Sequence, residues 1–142
     1  MFANLTLEGR NCKVWAWVER SVRPLLPDGF TYHPYLEQFN IPAFRSIQEE
    51  AVQSILKGEQ PLILMATGGG KSLCYQLPAL MLWEKYSSLT VVISSLQALM
   101  ADQVVDLIAN NLNFATFING NLTAFERSQR LEQLREGSLG LL

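Results

Sequence analysis

The sequence is poor in the residues that build disulfide frameworks, zinc sites and general acid–base centres. Its 142 residues include two cysteines, Cys12 and Cys74, and one histidine, His33. Two distant cysteines without paired spacing predict neither a disulfide framework nor a zinc site. A lone histidine without an accompanying acid or nucleophile motif gives little support for a catalytic role. This composition is typical of a reduced compartment, so we expect a cytoplasmic location.

An excess of charge of either sign is missing as well. The chain has 11 basic and 13 acidic residues, a net charge of −2. The chain as a whole therefore has no positive field that would indicate nucleic-acid binding, and any such binding must come from a local group of residues. The apolar runs are too short to span a membrane, and no signal peptide is recognisable at the N-terminus. With 49% hydrophobic and 17% charged residues, the sequence predicts one globular domain or part of one.

The first 34 residues differ in pattern from the rest. Apolar residues at helical spacing predict an amphipathic helix within residues 8–26, ended by Pro24 and Pro27. His33 and Pro34 are expected to separate this segment from the remainder of the chain. We therefore predict a short helical extension over residues 1–34 and a second region over residues 35–142.

From residue 35 onward, strand and helix signals alternate. The apolar runs 61–65 and 90–93 predict strands buried on both faces, and 114–117 is a third candidate. Thr123 and Glu126 have the spacing of a capping box. The alternation predicts an α/β fold, a parallel sheet with flanking helices. The predicted helices are 46–57, 71–85, 96–110 and 123–136.

A glycine-rich loop lies between the first predicted strand and the following helix. Residues 65–72 read Met-Ala-Thr-Gly-Gly-Gly-Lys-Ser, with methionine at the first glycine position of the strict phosphate-loop pattern. The glycines allow the backbone to approach an anion, and the helix N-terminus favours negative charge. Lys71 suits the β- and γ-phosphates of ATP, and the Ser72 hydroxyl suits Mg²⁺. The alternative is a flexible turn with an incidental lysine.

Three blocks of sequence resemble the RecQ family of superfamily 2 DNA helicases. Residues 65–80 resemble its phosphate-loop motif, with Ala66 in place of the usual proline. The Phe-Arg-x-x-Gln block at 44–48 resembles its adenine-reading motif, and residues 94–104 resemble its motif Ia. The blocks follow the family's order. The resemblance implies a RecA-like P-loop NTPase lobe, truncated at its C-terminal end, from an ATP-dependent 3′→5′ DNA helicase.

The resemblance also implies roles for individual residues. Gln48 would pair with adenine and Arg45 would stack on it; the alternative for Gln48 is a solvated helix residue. Ser94, Ser95 and Gln97 would contact the backbone of single-stranded DNA, although Ser95 could instead cap the helix. Lys71 is the predicted catalytic residue and Ser72 the predicted Mg²⁺ ligand. The expected ATP-binding residues are Arg45, Gln48, Thr67, Gly68, Gly69, Gly70, Lys71 and Ser72.

Hydrolysis requires an acidic motif that these residues do not supply. The resemblance places an Asp-Glu-x-His motif and a second motor lobe beyond Leu142. We therefore expect part of a longer motor that is catalytically inactive alone. Its expected partners are ATP, Mg²⁺, single-stranded or partly unwound DNA and the remaining helicase segments, with no membrane.

The expected setting is DNA repair and recombination, in the bacterial cytoplasm or nucleoid or in a eukaryotic nucleus. Two alternatives are an ATP-binding module without turnover and a different ATPase or kinase. Gln48 and residues 94–104 argue against the second of these.

Overall fold

The structure, a computed structural model, describes residues 14–17 as backbone and residues 31–142 in full. Among these residues no helix is both long and apolar enough to cross a membrane. Its secondary structure, in chain order, is β1 (Val14–Trp17), α1 (His33–Gln38), α2 (Gln48–Leu56), α3 (Leu73–Tyr86), β2 (Val91–Ser94), α4 (Gln97–Ala109) and α5 (Ala124–Arg135).

Helix α3 lies at the centre of the hydrophobic core. Most of its residues from Leu73 to Leu82 are buried, as expected for a helix that is apolar around most of its circumference. Helix α2 packs against it through an apolar face that includes Val52 and Leu56. Leu36 of α1 and Leu107 of α4 belong to the same core. The first turn of α3 is therefore fixed by packing along much of the helix.

The sheet is smaller than the sequence predicted. Strand β1 pairs antiparallel with β2, with Val14 opposite Ser94 and Trp17 opposite Val91. In the described part of the chain, parallel pairing occurs only as isolated bridges that join Leu141 to Thr90 and to Ala115. The segment around Leu141 thus lies between the residues that precede β2 and the predicted third strand. These bridges do not amount to the continuous parallel sheet that we expected.

Two predictions of buried strands are wrong in part. Residues 61–65 form no strand within the described part of the chain, and Leu62 and Leu64 are 73% and 67% exposed. Strand β2 does form, but Val91 and Ile93 are 37% and 60% exposed. An apolar run specifies a tendency to be buried, whereas burial also requires neighbouring strands and covering layers. None of the described strands pairs with residues 61–65, and only alternate residues of the run are half-buried.

The prediction of an N-terminal helix is wrong for the four residues of that segment that the structure describes. Residues 14–17, inside the predicted helix 8–26, form strand β1, and the rest of that prediction lies outside the described residues. The aromatic and β-branched composition of Val-Trp-Ala-Trp suits a strand. His33 and Pro34 begin helix α1, with Pro34 in the first turn, where its missing N–H costs nothing. The boundary after residue 34 stays a prediction.

The remaining helices match their predictions to within about two residues. Thr123 and Glu126 form the expected capping box: Thr123 Oγ1 accepts from the Glu126 backbone N–H, and the Glu126 side chain accepts in return. These hydrogen bonds hold the pKa of Glu126 below its usual range. Gly58 and Gly137 follow α2 and α5 with positive φ angles.

Candidate nucleotide site and adjoining surface

The phosphate loop leads directly into the N-terminus of α3. Gly68 and Gly70 have φ angles of 80° and 78°, in the left-handed region that glycine enters without strain. The Gly69 N–H donates to the Ala66 carbonyl at 3.0 Å, which closes a tight turn. Ser72 is the N-cap residue of α3 and makes no capping hydrogen bond with its side chain. The loop therefore places its backbone at the positive end of a 14-residue helix.

Lys71 is folded back over the loop. Its ammonium Nζ donates to the Met65 carbonyl at 3.0 Å and to the Ala66 carbonyl at 2.9 Å. Both acceptors are neutral, and hydrogen bonds from an ammonium to an anionic phosphate are stronger. The side chain is thus held beside the loop and can exchange these carbonyls for phosphate oxygens.

Gln48 is buried, with only 2% of its surface exposed. Its Oε1 accepts from the Arg45 backbone N–H at 2.7 Å, and its Nε2 donates to the Gly70 carbonyl at 3.0 Å. The alternative of a solvated helix residue is therefore wrong. Both ends of the amide are used inside the protein, so adenine can pair with Gln48 only by replacing one or both of these bonds. The amide also connects the Phe-Arg-x-x-Gln block to the phosphate loop.

Gly70 has a positive φ angle, which a residue with a side chain adopts only with strain. A Cβ atom placed on Gly70 would also collide with Gln48 Nε2, so the buried amide would have to move. Gly69 has little room for a side chain for a different reason. A Cβ atom placed there would lie 3.0 Å from the Ala66 carbonyl oxygen. The sequence predicted glycines for approach to an anion; the structure adds a steric requirement from Gln48.

The other predicted nucleotide contacts are accessible. Thr67 is exposed, and Arg45 and Ser72 are not buried. No group of three or more His, Cys, Asp or Glu in the described chain could hold a metal ion. The Ser72 hydroxyl, at the N-terminus of α3, is the candidate oxygen ligand that the loop pattern suggests. Mg²⁺ commonly combines one protein ligand with phosphate oxygens and waters, and a serine hydroxyl beside a phosphate loop fits that donor set.

The predicted DNA contacts lie at the end of β2 and the start of α4. Gln97 is exposed, and the Ser94 Oγ accepts from the Leu96 N–H at 3.2 Å. The N-cap of α4 is Leu96 and no side chain caps the helix, so the alternative role of Ser95 as a cap is wrong. Gly120 lies beside Gln97, because a Cβ on Gly120 would be 3.6 Å from Gln97 Nε2.

Sequence reasoning missed a polar cluster between α3 and α4. Gln103 Oε1 accepts from the Tyr75 hydroxyl at 3.2 Å and from Gln76 Nε2 at 2.9 Å. Burial raises the pKa of Tyr75, and a hydrogen bond with the Ser72 side chain acts in the opposite direction. Gln76 and Gln103 stand 27 positions apart, so no local spacing rule could have paired them. The cluster joins α3, which follows the phosphate loop, to α4, which begins at the predicted DNA contact Gln97.

One family profile and several curated relatives match this chain. The profile of the family described as DEAD/DEAH box helicase matches residues 45–139. The chain is 45% identical over 104 residues to the "ATP-dependent DNA helicase RecQ" of Pasteurella multocida, and 42% identical over 104 residues to that of Bacillus subtilis. It is 44% identical over 106 residues to the "ATP-dependent helicase SGS1" of Saccharomyces cerevisiae.

The matched profile stretch includes the phosphate loop, Gln48 and the motif Ia segment together. The similarity covers 73%, 72% and 75% of this chain but only 16%, 17% and 7% of the three relatives, in the same order. The chain therefore corresponds to part of a motor lobe in much longer proteins. On the profile match and these identities, the chain belongs to the DEAD/DEAH box helicase family and, within it, to the RecQ helicases.

Proposed function

We propose that this chain binds Mg-ATP at the phosphate loop and single-stranded DNA at residues 94–97, as part of the first, RecA-like motor lobe of a 3′→5′ DNA helicase. The observation that carries the proposal is the loop itself, with two glycines at positive φ, Lys71 beside the loop and Ser72 at the N-terminus of α3. The relatives are named as ATP-dependent DNA helicases, which supports the same assignment.

Each residue of the ATP site has a separate task in this proposal. The amides of residues 67–70 and the first turn of α3 surround the phosphates, and Lys71 neutralises their charge. Ser72 contributes one oxygen to Mg²⁺. Arg45, whose backbone N–H bonds to Gln48, stacks on adenine, and Gln48 exchanges its internal hydrogen bonds for bonds to the base.

The DNA surface is built from neutral groups. Ser94, Ser95 and Gln97 offer hydroxyl and amide hydrogen bonds to phosphate oxygens, and they add no positive charge. The chain as a whole carries a net charge of −2. Because few phosphates are neutralised, we expect modest affinity with a shallow dependence on salt concentration. In the cell such a chain would be associated with DNA during repair or recombination, together with the other helicase segments.

A second function, ATP binding without turnover, is favoured for the isolated chain by the positions of its aspartates. Within residues 31–142 these are Asp102 and Asp106, both on α4, away from any strand end. Phosphoryl transfer in P-loop enzymes uses an acidic residue to hold Mg²⁺ beside the attacking water. We therefore propose that this chain alone binds Mg-ATP and releases it unchanged.

The test is to measure binding of a fluorescent ATP analogue with Mg²⁺, and of a labelled oligo(dT), to the 142-residue chain. We expect both ligands to bind and phosphate release to stay at background. Gln97→Ala should weaken oligo(dT) binding about three- to tenfold, the loss of one net hydrogen bond, and leave ATP affinity unchanged. Gln129→Ala, a change at an exposed glutamine of α5, is the control. No binding of the ATP analogue would refute the proposal.

Gln48→Ala should reduce the preference for ATP over GTP. Under the proposal the amide recognises adenine, so its removal weakens ATP binding about tenfold, the loss of roughly 1.4 kcal/mol, and leaves GTP binding nearly unchanged. Competition of ATP and GTP against the fluorescent analogue measures the ratio. The result also separates recognition of the base from support of the loop.

If Gln48 only supports Gly70, both nucleotides lose affinity by the same factor and the ratio does not move. Gln53→Ala is the matched control on the same helix, because the Gln53 side chain bonds to the exposed Glu49 side chain at 3.2 Å. An unchanged ratio in Gln48→Ala would assign this glutamine to loop support alone.

A further inference from the structure

A pocket of about 260 Å³ opens where helices α1, α3 and α4 end, and none of its lining residues belongs to the proposed ATP or DNA contacts. Its rim is polar and its floor is apolar: the rim is formed by Gln38, Glu84, Asn111 and Asn113, and the floor by Leu80, Trp83, Leu112 and Phe114. Sites for drug-sized ligands typically measure roughly 300–1,000 Å³. This pocket therefore has the size for a single side chain or a similarly small group.

The walls of the pocket are held in place by the protein itself. Asn40 Nδ2 donates to Asn110 Oδ1 at 2.6 Å, which connects the residues that follow α1 to those that follow α4. Trp83 Nε1 donates to the Gly137 carbonyl at 3.1 Å, and its ring stacks on Phe114 with centroids 5.7 Å apart. Binding in the pocket would therefore require little reordering of the protein.

The charges around the pocket favour a cation. Glu84 places a carboxylate on the rim, in the last turn of α3. After burial, this carboxylate is the next cause of the raised pKa of Tyr35, so it lies towards α1. Helices α3 and α4, of 14 and 13 residues, both end at the pocket, and the C-terminal end of a helix is its negative end.

The same surroundings supply little positive charge. Helices α1 and α4 and residues 110–116 contain no lysine or arginine. Lys85 follows Glu84 on α3, but its ammonium lies 5.2 Å from the centroid of the Tyr86 ring. Among the described residues that line the pocket, the rim thus has one carboxylate and no cation.

The uncharged part of the rim suits a planar group with several donors. Gln38, Asn111 and Asn113 are exposed, and their side chains have no hydrogen bond among the described residues. Their amide oxygens can accept hydrogen bonds. A guanidinium has five donors in one plane and is weakly hydrated, whereas the ammonium of lysine is compact and strongly hydrated. A guanidinium therefore fits this rim and its apolar floor better than an ammonium does.

We propose that this pocket binds an arginine side chain of another protein and is a docking point for that partner. The guanidinium donates to the Glu84 carboxylate and to the amide oxygens of the rim, and the methylene groups lie on the apolar floor. The phosphate loop is at the other end of α3, about 20 Å away for a helix of this length. A bound partner would therefore leave the proposed ATP site open.

The test is a nuclear magnetic resonance titration of the ¹⁵N-labelled 142-residue chain with the peptide acetyl-Gly-Arg-Gly-amide. We expect saturable shifts of the Trp83 indole N–H signal and of the amide signals of residues 111–113, with a dissociation constant on the order of 1 mM. The same peptide with citrulline in place of arginine resembles it in shape but is uncharged. It should bind at least about tenfold more weakly, because a hydrogen bond to a charged group is stronger.

Two exposed positions on the rim test the role of charge without disturbing the core. Glu84→Gln should lower affinity for the arginine peptide about tenfold and remove most of the difference between the two peptides. Gln38→Lys places an ammonium on the rim and should also weaken binding of the arginine peptide. Glu50→Gln, the matched change at an exposed position of α2, should leave both affinities unchanged.

Equal affinity of the two peptides for the wild-type chain would overturn the inference, as would the absence of a saturable shift at Trp83. Equal losses in Glu84→Gln and Glu50→Gln would overturn it too. Sedimentation equilibrium without peptide tests the other occupant, a second copy of this chain. A dimer that dissociates in Glu84→Gln would assign the pocket to self-association and exclude a different partner.

Discussion

Replacing Lys71 by alanine should lower the affinity of the chain for Mg-ATP about 10- to 100-fold. Its ammonium is a charged donor that the structure places beside the loop, 3.0 Å and 2.9 Å from the carbonyls of Met65 and Ala66. A hydrogen bond to a charged group contributes about 1.5–3 kcal/mol, which corresponds to this range of affinity. Titration with a fluorescent ATP analogue measures the change directly.

Lys57→Ala provides the matched control for Lys71→Ala. Lys57 is exposed at the C-terminal end of α2, so removing its side chain should leave nucleotide affinity nearly unchanged. Circular dichroism on both variants shows whether the helices are retained, since Lys71 also bonds to the loop. Unchanged ATP affinity in a folded Lys71→Ala chain would remove the phosphate-binding role of the loop.

Phe114→Ala should destabilise the chain by about 3–5 kcal/mol, the usual effect of truncating a buried aromatic side chain. Phe114 is 1% exposed, and its ring stacks on Trp83 of α3 with centroids 5.7 Å apart. Its carbonyl accepts from the N–H groups of Gly140 and Leu141. The residue thus joins α3 to the segments that carry the parallel bridges. Small domains have about 5–15 kcal/mol of stability, so the variant is expected to be close to unfolding at ambient temperature.

Phe125→Ala is the same substitution at a surface position. Phe125 is 76% exposed in the first turn of α5, and its removal should change stability by less than about 0.5 kcal/mol. Urea unfolding followed by far-ultraviolet circular dichroism compares the two variants. Tryptophan fluorescence is less suitable, because Trp83 lies against Phe114 and would report the cavity itself. Equal stability of the two variants would contradict the packing described around Phe114.

The helices could be predicted because their signals are local. The capping box of α5 is formed by Thr123 and Glu126, which lie within four residues of each other. The apolar residues of α2 recur at helical spacing. The strands could not be predicted as reliably. The run at 61–65 looks like a buried strand, but its pairing depends on residues far away in sequence. The strand at Val14–Trp17 was missed for the same reason, since its partner is Val91–Ser94.

The candidate site could likewise be predicted only where its residues are close together in sequence. The glycines, Lys71 and Ser72 are adjacent in sequence, and their arrangement follows from a turn that leads into a helix. Gln48 was singled out through resemblance, but its hydrogen bonds to Arg45 and Gly70 are visible only in the folded chain. Gln103 could not be linked to Tyr75 in advance, because two helices must first pack before the side chains meet.

The exposed run before the phosphate loop has a consequence for the behaviour of the protein at high concentration. Leu62 and Leu64 are largely exposed, and the described residues include no strand paired with 61–65. An apolar segment that no described strand pairs with can serve as a template for edge-to-edge association between molecules. Pro61, at the start of the run, interrupts the row of donors, and the nearest charge before it is Glu59. Self-association at this segment would bring a second molecule close to the phosphate loop, which begins at Met65, so we expect it to hinder access of nucleotide.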